Sequence, residues 1–116
     1  MDLNLPLAEV SVTSDCCSLA TEVLSTHDAL RYAEIFKVLG DAGRLRILSL
    51  IAREGCAPIT ATDLVSELNL SQPTISHHLK KLTEAGLLTR QQSGRKAYYT
   101  IAPNLFAQLR TVLELG

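Results

Sequence analysis

Apolar and polar residues recur at helical spacing over most of this chain, and the breaks fall at residues that start or stop helices. Ser25-Thr-His-Asp28 has the form of a capping box that opens a helix through Leu39. There Leu30, Ala33, Ile35, Phe36, Val38 and Leu39 spread around most of the circumference, so the helix needs cover on several sides, from its own core and from a second subunit. Gly40-Asp41 breaks it, with Asp41 as the next N-cap, and Leu45, Leu48, Ile51 and Ala52 then repeat until Gly55. Cys56-Ala-Pro-Ile59 reads as a short extended connector. Thr60-Ala-Thr-Asp63 is a second capping-box candidate, opening a helix with Leu64 and Leu68 on one face.

After the turn at Asn69-Leu70, Ser71 caps a helix with Pro73 in its first turn, where a missing N–H costs nothing. The helix runs to Gly86, a residue suited to the left-handed C-terminal position. With Ile75 at zero and about 100° per residue, Leu79 falls at roughly 40° and Leu82 at roughly 340°, a narrow inward seam. The opposite arc carries Pro73, Thr74, Ser76, His77, Lys80 and Lys81. Two β-type runs, Leu87 to Gln92 and Lys96 to Ile101, flank Ser93-Gly94-Arg95 and predict a hairpin with a basic tip. Tyr99 and Ile101 alternate with Tyr98 and Thr100, and Tyr99 is expected on the core side. Pro103 starts a last helix whose Leu105, Phe106, Leu109, Val112 and Leu113 share one arc, enough apolar surface to seal a dimer. Upstream, Pro6 limits any early helix, and a partly ordered arm followed by a short helix over 18–24 is expected. The division is thus an arm with a cysteine pair over 1–24 and a folded domain over 25–116.

Composition narrows the class. In 116 residues there is room for one domain, and an apolar fraction of 47% with 20% charged residues suits a folded soluble protein. No apolar run approaches the ~18–20 residues needed to span a membrane. Met-Asp-Leu-Asn lacks the basic start of a signal peptide, so a cytoplasmic address is the default expectation. Three cysteines cannot all pair within one chain, which favours free thiols or metal ligands. The net charge of −1 hides an asymmetry: residues 1–70 sum to −5 and residues 71–100 to +4. A basic surface confined to one helix and a hairpin, on an acidic body, is the footprint of a nucleic-acid partner.

An exposed face of small hydrogen-bonding residues ending in two lysines suits a helix laid in the DNA major groove. Gln72, Thr74, Ser76 and His77 lie near the helix N-terminus, the end that reaches base edges. Lys80, Lys81, Arg90, Arg95 and Lys96 are expected on phosphates, adding affinity more than sequence choice. Gln72 sits partly on the inner side, which weakens its assignment. His78 leans toward the core edge and reads better as a packed, hydrogen-bonded histidine. Helix, turn, helix and basic hairpin describe a winged helix-turn-helix, mainly α with a β-hairpin wing.

Leu70-Ser-Gln-Pro-Thr-Ile-Ser-His-His-Leu-Lys-Lys-Leu, followed by Glu84-Ala-Gly-Leu-Leu and Gly94-Arg-Lys-Ala-Tyr-Tyr, closely resembles the ArsR/SmtB family of metal-sensing repressors over roughly residues 28–115. That resemblance implies a homodimer through the first and last helices and operator DNA as partner; an enzyme is not expected, because the chain is too short to enclose a substrate pocket beside a helix-turn-helix. Where arsenic-sensing members carry Cys-Val-Cys-Asp-Leu, this chain has Thr60-Ala-Thr-Asp-Leu64, and residues 103–116 lack the Asp and His ligands of the family's zinc site. Cys16, Cys17 and Cys56 remain. A single cysteine is often an apolar filler, but a vicinal pair plus a loop cysteine suits a soft thiophilic ion such as As(III) or Sb(III). Tetrahedral zinc would need a further ligand such as His27. The arrangement also resembles arsenite-responsive ArsR repressors of the actinobacterial kind, which assigns inducer binding to Cys16, Cys17 and Cys56, with no constitutive cofactor. The rival readings keep the DNA module but use the thiols as a redox switch or a Cd/Pb/Zn site, or make the winged helix a protein-interaction module that binds no DNA.

Overall fold

A computed structural model describes residues 18–19, 22–55 and 57–115. Five helices and one hairpin follow in the order α1 (Thr26–Leu39), α2 (Ala42–Arg53), α3 (Ala61–Leu68), α4 (Gln72–Glu84), β1 (Leu88–Ser93), β2 (Lys96–Ile101) and α5 (Pro103–Val112). Four helix starts are set by local side-chain chemistry. Ser25 accepts from the Asp28 N–H, Asp41 from the Arg44 N–H, Thr60 from the Asp63 N–H and Ser71 from the Thr74 N–H. At Thr60–Asp63 both halves of a capping box form, because Asp63 also accepts from the Thr60 N–H. Each such cap satisfies a backbone donor that the helix itself cannot. The α4 C-terminus ends at Ala85, and Gly86 takes a φ of 84°.

The core is a single cluster of Leu and Ile with Tyr32 and Val112. Ile47, Ile51, Leu64, Ile75, Leu82 and Leu87 are fully buried. Burying a side chain of this size stabilises by about 1.5–3 kcal/mol relative to leaving it in water. α2 is the central element and touches α1, α3, α4 and β2. Its inner face is Ile47, Leu48, Leu50 and Ile51, whereas Leu45 is 52% exposed and Ala52 is exposed. Leu45 lies roughly 160° round from Ile47 at 100° per residue, so a helix packed about Ile47 turns it outward. In α1, Tyr32 and Ile35 point inward, with the Arg31 guanidinium 5.1 Å from the Tyr32 ring centre, while Leu30 is 66% exposed.

The hairpin is antiparallel, with Leu88 opposite Ile101 and Ser93 opposite Lys96. Ser93 therefore belongs to β1, and the loop is Gly94-Arg95, with Gly94 at φ 62° as a two-residue hairpin turn requires. Leu87 lies outside the strand: its N–H donates to the Leu82 carbonyl and its own carbonyl accepts from the Ala102 N–H. The base of the wing is thereby fastened to both α4 and α5. The helix expected over 18–24 is absent from its described residues, Ser18, Leu19 and 22–24, which are turn, bend or irregular. Instead Leu19 N–H donates to the Val112 carbonyl at 2.9 Å, and the Ser18 hydroxyl donates to the Glu114 carbonyl at 2.7 Å. Ser18 and Leu19 thus lie along the last turn of α5 and the residues just after it through hydrogen bonds to their backbone, in place of a helical turn of their own. No helix among the described residues is long and apolar enough to cross a membrane.

Candidate functional site

α4 divides cleanly into two faces. Ile75, Leu79 and Leu82 are at most 1% exposed, which anchors one side of the helix in the core. Gln72, Pro73, Thr74, Ser76, His77, Lys80 and Lys81 are all exposed. The outward arc predicted from the sequence is thus one continuous surface, and Gln72 joins it. The Gln72 amide lies 3.4 Å from the Ser76 hydroxyl, and the Ser71 hydroxyl donates to Thr74 at 2.9 Å. These polar groups are held by one another along the first turns, which pre-orders donors and acceptors of the kind that read base edges.

The wing adds charge but not on one side. Arg90 stands opposite Tyr99, on the face shared by Leu88 and Ile101, and Lys96 stands opposite Ser93 on the other face. Arg95 occupies the turn. Near the tip, Arg90 donates to the Gln92 side chain at 2.6 Å, and Gln92 donates to the Gly94 carbonyl at 2.9 Å. Lys96 also bears on α3. Asp63 is held below the ordinary carboxylate range first by the Thr60 backbone N–H, then by the Thr60 side chain, with the Lys96 charge contributing. Tyr99 and Ile101 pack against the core, as their alternation predicts.

One cluster has no signature in the spacing. His78 is turned back toward the N-terminus of α2, where Arg44 Nε donates to its Nδ1 at 3.1 Å and its Nε2 lies 3.6 Å from Asp41 Oδ2. Arg44 is itself held by the Val38 carbonyl at 3.2 Å. Because Nδ1 accepts, the proton of the neutral ring sits on Nε2, facing the carboxylate. Burial pushes the imidazole below its ordinary value and the Arg44 charge adds to this, against the opposing pull of Asp41. The Asp41 carboxyl is lowered chiefly by the Arg44 backbone N–H. The clue in the sequence is the position of His78 at the edge of the apolar seam, consistent with its reading as a bonded structural histidine.

Cys16, Cys17 and Cys56 lie outside the described residues. Their neighbours are placed: Ser18 and Leu19 on the end of α5, and Ala57 in the loop that leads to Ile59. His27 is an exposed residue in the first turn of α1. Among the described residues, no group of three or more His, Cys, Asp or Glu side chains could hold a metal ion.

The packing of α2 and α3 against α4, the outward polar face of α4 and the hairpin after it define a winged helix-turn-helix. Residues 41–90 match the family described as bacterial regulatory protein, arsR family. The chain is 40% identical over 67 residues to the arsenical resistance operon repressor of Staphylococcus aureus, a match covering 58% of this chain and 62% of that protein, so less than two thirds of that relative's length is spanned. It is 35% identical over 81 residues to the arsenical resistance operon repressor of Escherichia coli, covering 70% of this chain and 68% of that one. The solution structure of a homodimeric winged helix-turn-helix DNA-binding domain from Mycobacterium bovis superposes with a TM-score of 0.60 at 26% identity, covering 77% of this chain and 86% of the other. This chain belongs to the ArsR family.

Proposed function

We propose that the protein is a homodimeric transcriptional repressor that binds operator DNA when free of ligand and releases it when As(III) or Sb(III) joins the thiolates of Cys16, Cys17 and Cys56. The observation that carries the DNA half is the exposed polar and basic face of α4, set on a buried Ile75–Leu79–Leu82 seam. Thr74, Ser76 and His77, with Gln72 beside them, meet base edges, and Lys80, Lys81, Arg90, Arg95 and Lys96 supply phosphate contacts. Dimerisation is supported by the homodimeric relative and by apolar side chains left in water near both chain ends: Val23 at 94%, Leu30 at 66%, Leu113 at 53% and Leu115 at 71% exposure. Covering such groups with a second copy removes the apolar surface from water.

The inducer half is supported by the thiophilic chemistry of three cysteines and by relatives that are arsenical resistance repressors. Metalloid binding and DNA binding are linked as a coupling free energy: a tenfold loss of operator affinity needs about 1.4 kcal/mol of preference for the non-binding dimer geometry. The test is duplex binding, on a sequence selected from a randomised pool, by the reduced wild type and by Cys16→Ser, Cys17→Ser and Cys56→Ser, each with and without arsenite. All four proteins should bind, and only the wild type should let go. Release of the wild type by peroxide but not by arsenite would assign the thiols to redox sensing instead.

A further inference from the structure

The cluster that receives His78 is built for close approach. A Cβ added to Gly43 would stand 3.0 Å from His78 Nε2 and 3.2 Å from Asp41 Oδ2, so any larger residue there would press the imidazole and the carboxylate back by a few tenths of an ångström. His78 projects from the middle of α4, between Ile75 and Leu79, and its side chain is 12% exposed. α2 therefore holds α4 through a polar contact as well as through the apolar seam.

That contact tolerates only one protonation state. A guanidinium has donors and no acceptor, so Arg44 Nε can bond Nδ1 only while Nδ1 carries no hydrogen. Taking up a proton places an N–H against an N–H and a positive ring against a positive guanidinium. The charged groups that bear on the imidazole are Asp41 and Arg44 at the start of α2 and His77 on its own helix, and only Asp41 favours the charged ring. From α1 the Val38 carbonyl fixes Arg44 in place, so the guanidinium is not free to swing away.

We infer that His78, seated between Arg44 and Asp41, is a proton-operated latch that positions the recognition helix α4 on the body of the fold, so that mild acid unseats the helix and weakens DNA binding. The inference rests on the DNA-binding reading given above. It makes His78 a positioning residue, distinct from His77 on the outward face.

The experiment measures duplex affinity of the wild type and of His78→Gln between pH 7.5 and 5.5 at constant salt. The ratio of the two affinities is the readout, because any titration of His77 or of the DNA is common to both and cancels. The wild type should lose affinity relative to His78→Gln by about threefold to tenfold over that interval, one unit of differential protonation being tenfold. Arg44→Gln is the second variant, and it keeps the test open if His78→Gln fails to fold. A glutamine amide can donate to Nδ1 or accept from Nδ1–H, so this protein too should be flatter with pH than the wild type. Duplex binding with a flat ratio, or a ratio that moves the other way, overturns the inference alone. Failure of every protein to bind duplex at pH 7.5 and low salt overturns the DNA-binding reading and takes the latch with it.

Discussion

Ile59 and Tyr99 exchange both of their backbone hydrogen bonds, Ile59 N–H to the Tyr99 carbonyl at 3.2 Å and Tyr99 N–H to the Ile59 carbonyl at 2.8 Å. This single antiparallel bridge lays the connector before α3 along the outer edge of β2. Ile59 is also 6% exposed, so the bridge is backed by a buried side chain. Ile59→Ala should therefore cost about 2–4 kcal/mol in chemical denaturation. It should also speed hydrogen exchange at the Tyr99 amide. Near-neutral stability with unchanged exchange would show that the connector is not fastened to the wing.

That bridge marks the boundary of what the sequence discloses. Ser25, Asp41, Thr60 and Ser71 announce their helices because a cap is a bond between residues three apart, and all four stand where spacing puts them. The Ile75–Leu79–Leu82 seam is legible for the same reason. Pairing between residues 59 and 99 has no local signature, and neither does the meeting of Arg44 with His78. Tyr32 is hidden as a core residue too, because an amphipathic ring flanked by Arg31 looks like surface until the packing decides. Leu45 misleads in the other direction: its spacing fits the α2 pattern, but the helix is rotated to pack against α1, α3, α4 and β2 together. Of the candidate site, Thr74, Ser76, His77, Lys80 and Lys81 are on the outward face of α4 where the pattern puts them, and Gln72, expected partly on the inner side, is exposed with them, whereas Arg90 and Lys96 are separated by the pleat of the wing.

Phosphate binding has a signature separable from base reading. Replacing Lys80, Lys81, Arg95 or Lys96 by Gln should lower affinity for every duplex sequence and make log affinity against log salt less steep by about one for each phosphate no longer neutralised. Ser76→Ala or His77→Ala should instead change which sequences are preferred while leaving that slope nearly as it was. A lysine substitution that leaves the salt slope untouched would remove that residue from the interface.

Acid should weaken the fold in two separate ranges. His78 has a lowered folded-state pKa, so the unfolded chain binds the proton more readily, and stability present above its ordinary value of 6.5 is lost as pH falls through it. Asp41 and Asp63 are also lowered from 3.8, so their contributions persist above that value and disappear as pH falls below it. Urea denaturation as a function of pH should show both phases. Asp63→Asn should diminish the lower phase and leave the upper one in place.

Gly86 is the position where a methyl group should do harm without any collision. Its φ of 84° lies in the left-handed region, while an added Cβ would meet Leu105 Cδ2 at an ordinary 3.5 Å. Gly86→Ala should cost about 1–2 kcal/mol, the penalty of that conformation for an L residue, read as a fall in the denaturation midpoint with unchanged m-value. A stabilised Gly86→Ala would mean that the turn relaxes into another conformation.

The bonds from Leu19 to the last turn of α5 and from Ser18 to Glu114 just beyond it tie residues 18–114 into a ring, with Ser18 and Glu114 held together although 96 positions apart. Whatever tugs on the chain at Ser18 is felt at Glu114, far away in sequence. A fluorophore or affinity handle attached beyond residue 113 would sit on the same clasp, and so is badly placed to be a silent reporter.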